Sequence, residues 1–177
     1  MVEVRYWGSL FPLITIVLLI ISLFFPVMSV SIDYSPVFNI EDKLYITGGG
    51  IIDAIEPYID SYPEIRDVRE ALMDIIIIRI ILIISTSILS IISAILLTTR
   101  SKGVKIAKIM WIVTGISLLT SQIFLLPYSE IFIYLRTYQD VSLTMGFGMI
   151  FLMIGGAVLL LGAVWLFYLK KMQLIQY

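Results

Sequence analysis

Residues Asp74 to Arg100 read DIIIIRIILIISTSILSIISAILLTTR. From Ile75 to Leu97 the run is apolar except for small hydroxylated residues and a single charge, Arg79. At about 1.5 Å per residue this makes a helix roughly 34 Å long, enough to cross the hydrocarbon core of a bilayer. A water-soluble core has little use for so long an apolar segment, so the chain reads as an integral membrane protein.

Composition agrees. Hydrophobic residues are 60% of the 177-residue chain and charged residues 14%, well outside the soluble range. That length holds about four spans and one small folded loop, with no room for a separate catalytic domain. The chain has no cysteine and no histidine. This removes disulfides, thiol chemistry, the commonest metal and haem ligands, and the usual side chain for proton transfer near neutral pH. No cofactor is expected. Asparagine occurs once, at Asn39, and isoleucine outnumbers leucine. That bias suits a thermophile, an archaeon for example, and would arise equally from an AT-rich genome.

Outward from the central run, the first span is expected over residues 8–30, with Pro12 in its first turn and Pro26 kinking or ending it. A cleaved signal peptide is the rival reading, but the apolar stretch is too long for a typical one. Residues 31–74 form the one substantial polar segment. Val30 to Tyr34 and Lys43 to Thr47 alternate with a strand-like period, and Gly48-Gly49-Gly50 reads as a hinge. Ile51, Ile52, Ile55, Tyr58 and Ile59 then recur at helical spacing, a short amphipathic helix interrupted by Pro57. Ser61-Tyr62-Pro63-Glu64 matches a capping box, serine at N-cap and glutamate at N3. No breaker follows, so the second span (75–98) is expected to be the inner part of one helix from Tyr62 to Thr98. A third span is expected over 106–126, ending at Pro127. An aromatic interfacial loop from Tyr128 to Asp140 leads into a fourth span over 141–169, stopped by Lys170-Lys171.

Charge sets the orientation. The 31–74 segment carries ten acids against three bases, and the 100–108 connector carries four bases and no acid. The positive-inside rule then places the connector and both termini in the cytoplasm of a multi-pass cell-membrane protein, with a larger first extracytoplasmic loop. Trp7, Trp111 and Trp165 fall near the expected cytoplasmic boundary, as an aromatic belt would. The fold class is thus an all-α polytopic membrane protein, a four-transmembrane-helix bundle with a helical extension of its second span. Its layout resembles claudin-like and tetraspanin-like proteins in the order of spans and loops. The W–GLW–C–C pattern is absent, and the resemblance carries over no residue.

Candidate functional residues are few. Arg79 is the one charge clearly inside a span, about 6–7 Å from its outer end. Snorkelling to the interface, or pairing with Asp74 or another outer-loop acid, is the expected arrangement, ahead of a buried pair with another subunit or a conduction role. Gly148, Gly155 and Gly162 recur every seven residues with Gly156 beside them, and Thr86, Ser90 and Ala94 every four. Both sets suit helix packing or contact with a partner helix. The outer-loop acids read as a solvated face, since no compact cation loop is present. The basic connector serves as a topological anchor that also suits anionic lipid headgroups. It is too short for nucleic acid, which is not expected as a partner.

The absence of catalytic chemistry and the abundance of packing surface predict a non-catalytic subunit of a membrane complex. The expected partners are the lipid bilayer and other integral membrane subunits. The alternatives are a small transporter or channel, with a path along Thr114, Ser117, Ser121 and Gln122, and a cell-surface adhesion or envelope protein.

Overall fold

The computed structural model describes residues 7–34, 38–47, 49–99, 103–121 and 140–171. The chain is mostly helical: α1 (Leu10–Ser22), α2 (Ile51–Ile55) with a 3₁₀ turn over Glu56–Tyr58, α3 (Pro63–Thr99), α4 (Gly103–Thr120) and α5 (Phe147–Lys171). Three strands, β1 (Met28–Tyr34), β2 (Phe38–Leu44) and β3 (Asp140–Met145), form one antiparallel sheet in the order β2-β1-β3. The helices α3, α4 and α5 are long and apolar enough to cross a membrane, whereas α1 is a shorter apolar helix. The protein is therefore a helical membrane protein that also carries a small sheet, which the all-α expectation lacked.

Helix α3 runs from Pro63 to Thr99, within one residue of the expected limits at each end. Proline at its first position is tolerated because that N–H has no intrahelical partner. The Ile65 N–H donates to the Tyr62 carbonyl, so the chain enters the helix from Tyr62. The side chain of Glu64 lies outside the described residues. So do the connector residues Arg100 and Lys102, Gln122, the Pro127 break, the aromatic loop before Asp140, and the Lys170-Lys171 side chains.

The two outer spans differ from expectation. Helix α1 ends at Ser22, and strand β1 occupies what was expected to be the end of the first span. Pro26 forces the residue before it out of the helical region, so the chain turns at Phe24-Phe25 and continues extended. The expected fourth span loses its first residues to β3. Asp140 to Met145 reads DVSLTM, an alternating pattern that pairs along β1 from Asp33↔Asp140 to Met28↔Met145. The second strand spans residues 38–44 rather than 43–47, in register with β1 from Tyr34↔Phe38 to Met28↔Leu44.

Two compact units result. The helical unit comprises residues 1–20, 82–120 and 151–177; the sheet unit comprises 21–81 and 121–150. In the sheet unit Val30, Ile32 and Leu44 are buried on one face of the sheet, and the same core includes Ile51 and Ile55 of α2 and Ile65 and Leu72 of α3. Burying each such side chain from water is worth about 1.5–3 kcal/mol. The edge strand β2 is blunted by its own Asp42, whose carboxylate accepts the Lys43 N–H at 2.7 Å. Gly50 turns the chain from this edge into α2. It has φ +79°, and a side chain there would strike the Lys43 carbonyl.

The start of α5 is held by the turn after α1. The Gly146 N–H donates to the Val27 carbonyl and the Gly148 N–H to the Pro26 carbonyl, both at 2.9 Å. These are donors that a helix start leaves without intrahelical partners. A Cβ on Gly148 would stand 2.6 Å from the Phe25 carbonyl oxygen and 3.0 Å from those of Ser22 and Pro26. Backbone cannot move aside as a side chain can. Gly148→Ala is therefore expected to destabilise the protein by about 1–3 kcal/mol, read as a lowered midpoint in denaturant titration in detergent. An unchanged midpoint would remove this contact as a constraint.

Candidate functional site

The buried side of α3 is one unbroken stripe. Ile65, Val68, Leu72, Ile75, Arg79, Ile83, Thr86, Ser90, Ser93 and Leu97 are all buried and are spaced by three or four residues throughout. Its chemistry changes along the helix. Up to Ile76 the inward residues are apolar and the outward ones, Arg66, Asp67, Glu70 and Asp74, are charged. Beyond it the outward residues are isoleucines, among them Ile77, Ile81, Ile84, Ile88 and Ile95, and the inward stripe holds an arginine and hydroxyls. The first pattern suits water outside; the second suits lipid acyl chains outside.

Arg79 is only 2% exposed, so its side chain is covered by the fold. Asp74, in contrast, is exposed. Five residues turn a helix through about 140° beyond a full revolution, so the structure does not bring these two onto one face. The described ion pair of the sheet unit joins Arg69 to Glu56 at 2.8 Å, with side chains 37% and 57% exposed. Such an exposed pair contributes about 0–1 kcal/mol.

In the helical unit the stripe meets its neighbours through a few specific contacts. The Trp111 indole N–H donates to Ser93 Oγ at 2.7 Å, and that hydroxyl donates to the Ser90 carbonyl at 2.8 Å. Trp111 is completely buried, on the inner face of α4. The signal for it lay in the sequence: Val104, Ala107, Trp111, Thr114 and Leu118 mark the buried face of α4 at helical spacing. Trp7 is 66% exposed and Trp165 half-buried. The Thr114 hydroxyl donates to the Met110 carbonyl at 2.6 Å. That of Thr15 is shared between the carbonyls of Phe11 and Gly155, at 3.0 and 3.2 Å.

Gly155, Gly156 and Gly162 of α5 lie inside this unit. Gly156 and Gly115 face each other so closely that a Cβ on either would stand 2.9 Å from the other's carbonyl oxygen. The Phe11 ring covers Gly162, at 2.8 Å from where its Cβ would be. Gly155 has ordinary room at 3.4 Å from Thr15, and contributes its carbonyl instead. Thr86 and Ser90 are buried and Ala94 half-buried. Among the described residues Ser90 Oγ, 1% exposed, has no hydrogen-bond partner. Ser117 is exposed and Ser121 half-buried.

The sheet unit offers a second surface. Opposite its buried face, Ser29 of β1 stands between Lys43 and Thr144, Ser31 between Glu41 and Ser142, and Asp33 between Asn39 and Asp140. Asn39, Glu41, Lys43 and Thr144 are exposed. Among the described residues no three metal-ligating side chains converge to hold an ion. No protein-family model matches the chain, and no curated protein matches its sequence.

The Trp111–Ser93 bond gives a direct test of how the bundle is held. A double-mutant cycle of Trp111→Phe and Ser93→Ala is expected to show a coupling of about 0.6–1.7 kcal/mol, the range for hydrogen bonds between membrane helices. Reversible unfolding of the four proteins measures it. Strict additivity of the two substitutions would mean the bond carries no net stability.

Proposed function

We propose that this chain is a non-catalytic subunit of a larger membrane assembly, a structural or accessory component that meets its partner through the sheet unit. On this reading four helices cross the membrane, α1 completing the fourth crossing. Both termini lie in the cytoplasm and the sheet unit outside. The end of α1 and the starts of α3 and α5 all belong to the sheet unit, which supports an even number of crossings. The ten-to-three excess of acids over bases in residues 31–74 supports the orientation.

The observation that carries the reading is the polar face of the sheet. The β1–β2 hairpin and the distant β3 set serine, threonine and charged residues along the face opposite buried Val30, Ile32 and Leu44. A water-facing sheet of this kind offers side-chain hydrogen bonds for recognition, with no pocket needed. The glycine stripe of α5 is occupied within the helical unit, so partner contact inside the membrane falls to the outward isoleucine faces. The lack of any histidine or cysteine supports a role without catalysis. A surface-layer or cell-contact role would use the same polar face with a soluble partner in place of a membrane-embedded one.

Purification from native membranes in mild detergent, followed by mass spectrometry, is expected to recover a stoichiometric partner. Glu41→Lys with Thr144→Arg, both at exposed positions, is expected to lose that partner while the protein still folds. A monomer with nothing bound, or retention of the partner by the double variant, would sink the proposal.

A second reading, a homo-oligomeric transporter or channel, is favoured by the Ser90 hydroxyl, a polar atom buried in the bundle with no described partner. It predicts ion or solute flux in proteoliposomes that falls at least severalfold in Ser90→Ala. Flux indistinguishable from empty liposomes would eliminate it.

A further inference from the structure

The helical unit contains an open groove of about 310 Å³, lined by Trp7, Leu10, Phe11, Ile14 and Trp165. Every lining residue is large and apolar or aromatic. From Trp7 to Ile14 the groove follows the residues that lead into α1 and the first turn of that helix. Its inner wall is rigid, because the Phe11 ring lies 5.6 Å from that of Trp165 and 6.1 Å from that of Trp111. The volume is at the small end for ligand sites, which suits one hydrocarbon chain better than a fused-ring or two-chain occupant.

What fills the groove can be argued from its walls and from the charge at its end. A partner helix is a poor fit, since close helix contacts in membranes need small residues and this groove has none. A polar ligand would find no hydrogen-bonding side chain except the indole N–H groups. The groove opens at the basic end of the bundle. Trp165 lies one turn before Tyr168 and Leu169, where α5 approaches Lys170-Lys171. Trp111 lies three residues after Lys108, so its end of α4 is the one nearest the Arg100–Lys108 connector. Lys105 is exposed there, and the Lys108 ammonium is held 5.7 Å from the centre of the Phe167 ring on α5. No acid occurs in the connector or in residues 165–171.

We propose that this groove is a binding site for one anionic membrane lipid, with an acyl chain between Trp7 and Trp165 and its phosphate at the lysine-bearing end. The aromatic walls hold the chain by dispersion contacts, and the lysines select the headgroup by charge. The site is distinct from the polar sheet face and from the buried stripe of α3.

The test uses the protein's own tryptophans. Trp7 and Trp165 line the groove, while fully buried Trp111 supplies a background that lipid cannot reach. The full chain is reconstituted in phosphatidylcholine vesicles doped with dibrominated phosphatidylglycerol, or to the same level with dibrominated phosphatidylcholine. Bromines on the acyl chains quench any indole they touch. The expected result is stronger quenching by the anionic lipid, corresponding to an enrichment of about fivefold at low salt for one engaged lysine. Lys105→Gln with Lys108→Gln is expected to abolish the headgroup preference while quenching by both lipids persists. Ile14→Gln, at a half-exposed position that tolerates change, is expected to reduce quenching by both. Trp7→Phe and Trp165→Phe should each remove part of the anionic-lipid signal. Equal quenching by the two headgroups in the unmodified protein would mean ordinary annular lipid and overturn the proposal. So would a preference unchanged by loss of both lysines, or quenching unchanged in Ile14→Gln.

Discussion

One helix has to satisfy two solvents. Helix α3 is continuous over 37 residues, roughly 55 Å, and along it the outward face passes from charged residues to isoleucine at Asp74–Ile77. The inward stripe keeps its spacing across that point but changes its chemistry. Before it, isoleucine, valine and leucine bury themselves away from water, which is strongly favourable. After it, hydrophobicity gives no preference for inside over outside, because lipid is as apolar as the interior. Close packing and hydrogen bonds must supply the cohesion instead, and the stripe then carries Thr86, Ser90 and Ser93.

The rest of the architecture follows from this division. The sheet unit is built as a water-soluble domain would be: buried aliphatic side chains on one face of the sheet, joined on the edge strand by half-buried Asp42, and hydroxyls and charges on the other. The helical unit is built in the opposite sense. Most of its isoleucines face out, and its glycines, the hydroxyls of Thr15, Thr86, Ser90, Ser93 and Thr114 and one indole face in. Gly115 and Gly156 let two helix backbones meet at a distance that any side chain would prevent. The Trp111–Ser93 bond ties the consecutive helices α3 and α4, and the Thr15–Gly155 bond ties α1 to α5, distant in sequence. A buried hydroxyl that donates to a carbonyl of its own helix, as Thr114 does, costs little in a medium that leaves polar groups few other partners.

How much of this was legible in the sequence depended on whether the signal was local. Helix α3 could be read nearly to the residue, because its start is marked by proline and its length by an uninterrupted apolar period. The onset of β1 was legible from the alternation at Val30–Tyr34. Strand β3 was not: Val141, Leu143 and Met145 continue smoothly into the apolar run of α5, and only the distant partner β1 makes them a strand. The end of α1 was obscured in the same way, since Phe24, Phe25 and Val27 are as apolar as a span. Arg79 and Trp111 were read by depth along their helices, and the structure adds which face they occupy: both are buried, and for Trp111 the spacing of Val104, Ala107, Thr114 and Leu118 on α4 held that information.

The pairing of β1 with β3 has a consequence for the order of events in biogenesis. The two strands are more than a hundred residues apart in the chain, and everything between them, including α3 and α4, is made first. The β1–β2 hairpin can close locally as soon as it emerges, but β1 then presents an open edge until the last strand arrives. Closure over so long a loop is slow, and an unpaired edge invites pairing with other chains in the interval. Because Gly146 and Gly148 join the end of β3 and the start of α5 to the same turn, docking the strand also seats the final helix. Completion of the sheet and seating of the first turn of α5 are thus a single late step, joined through the Gly146 and Gly148 N–H groups.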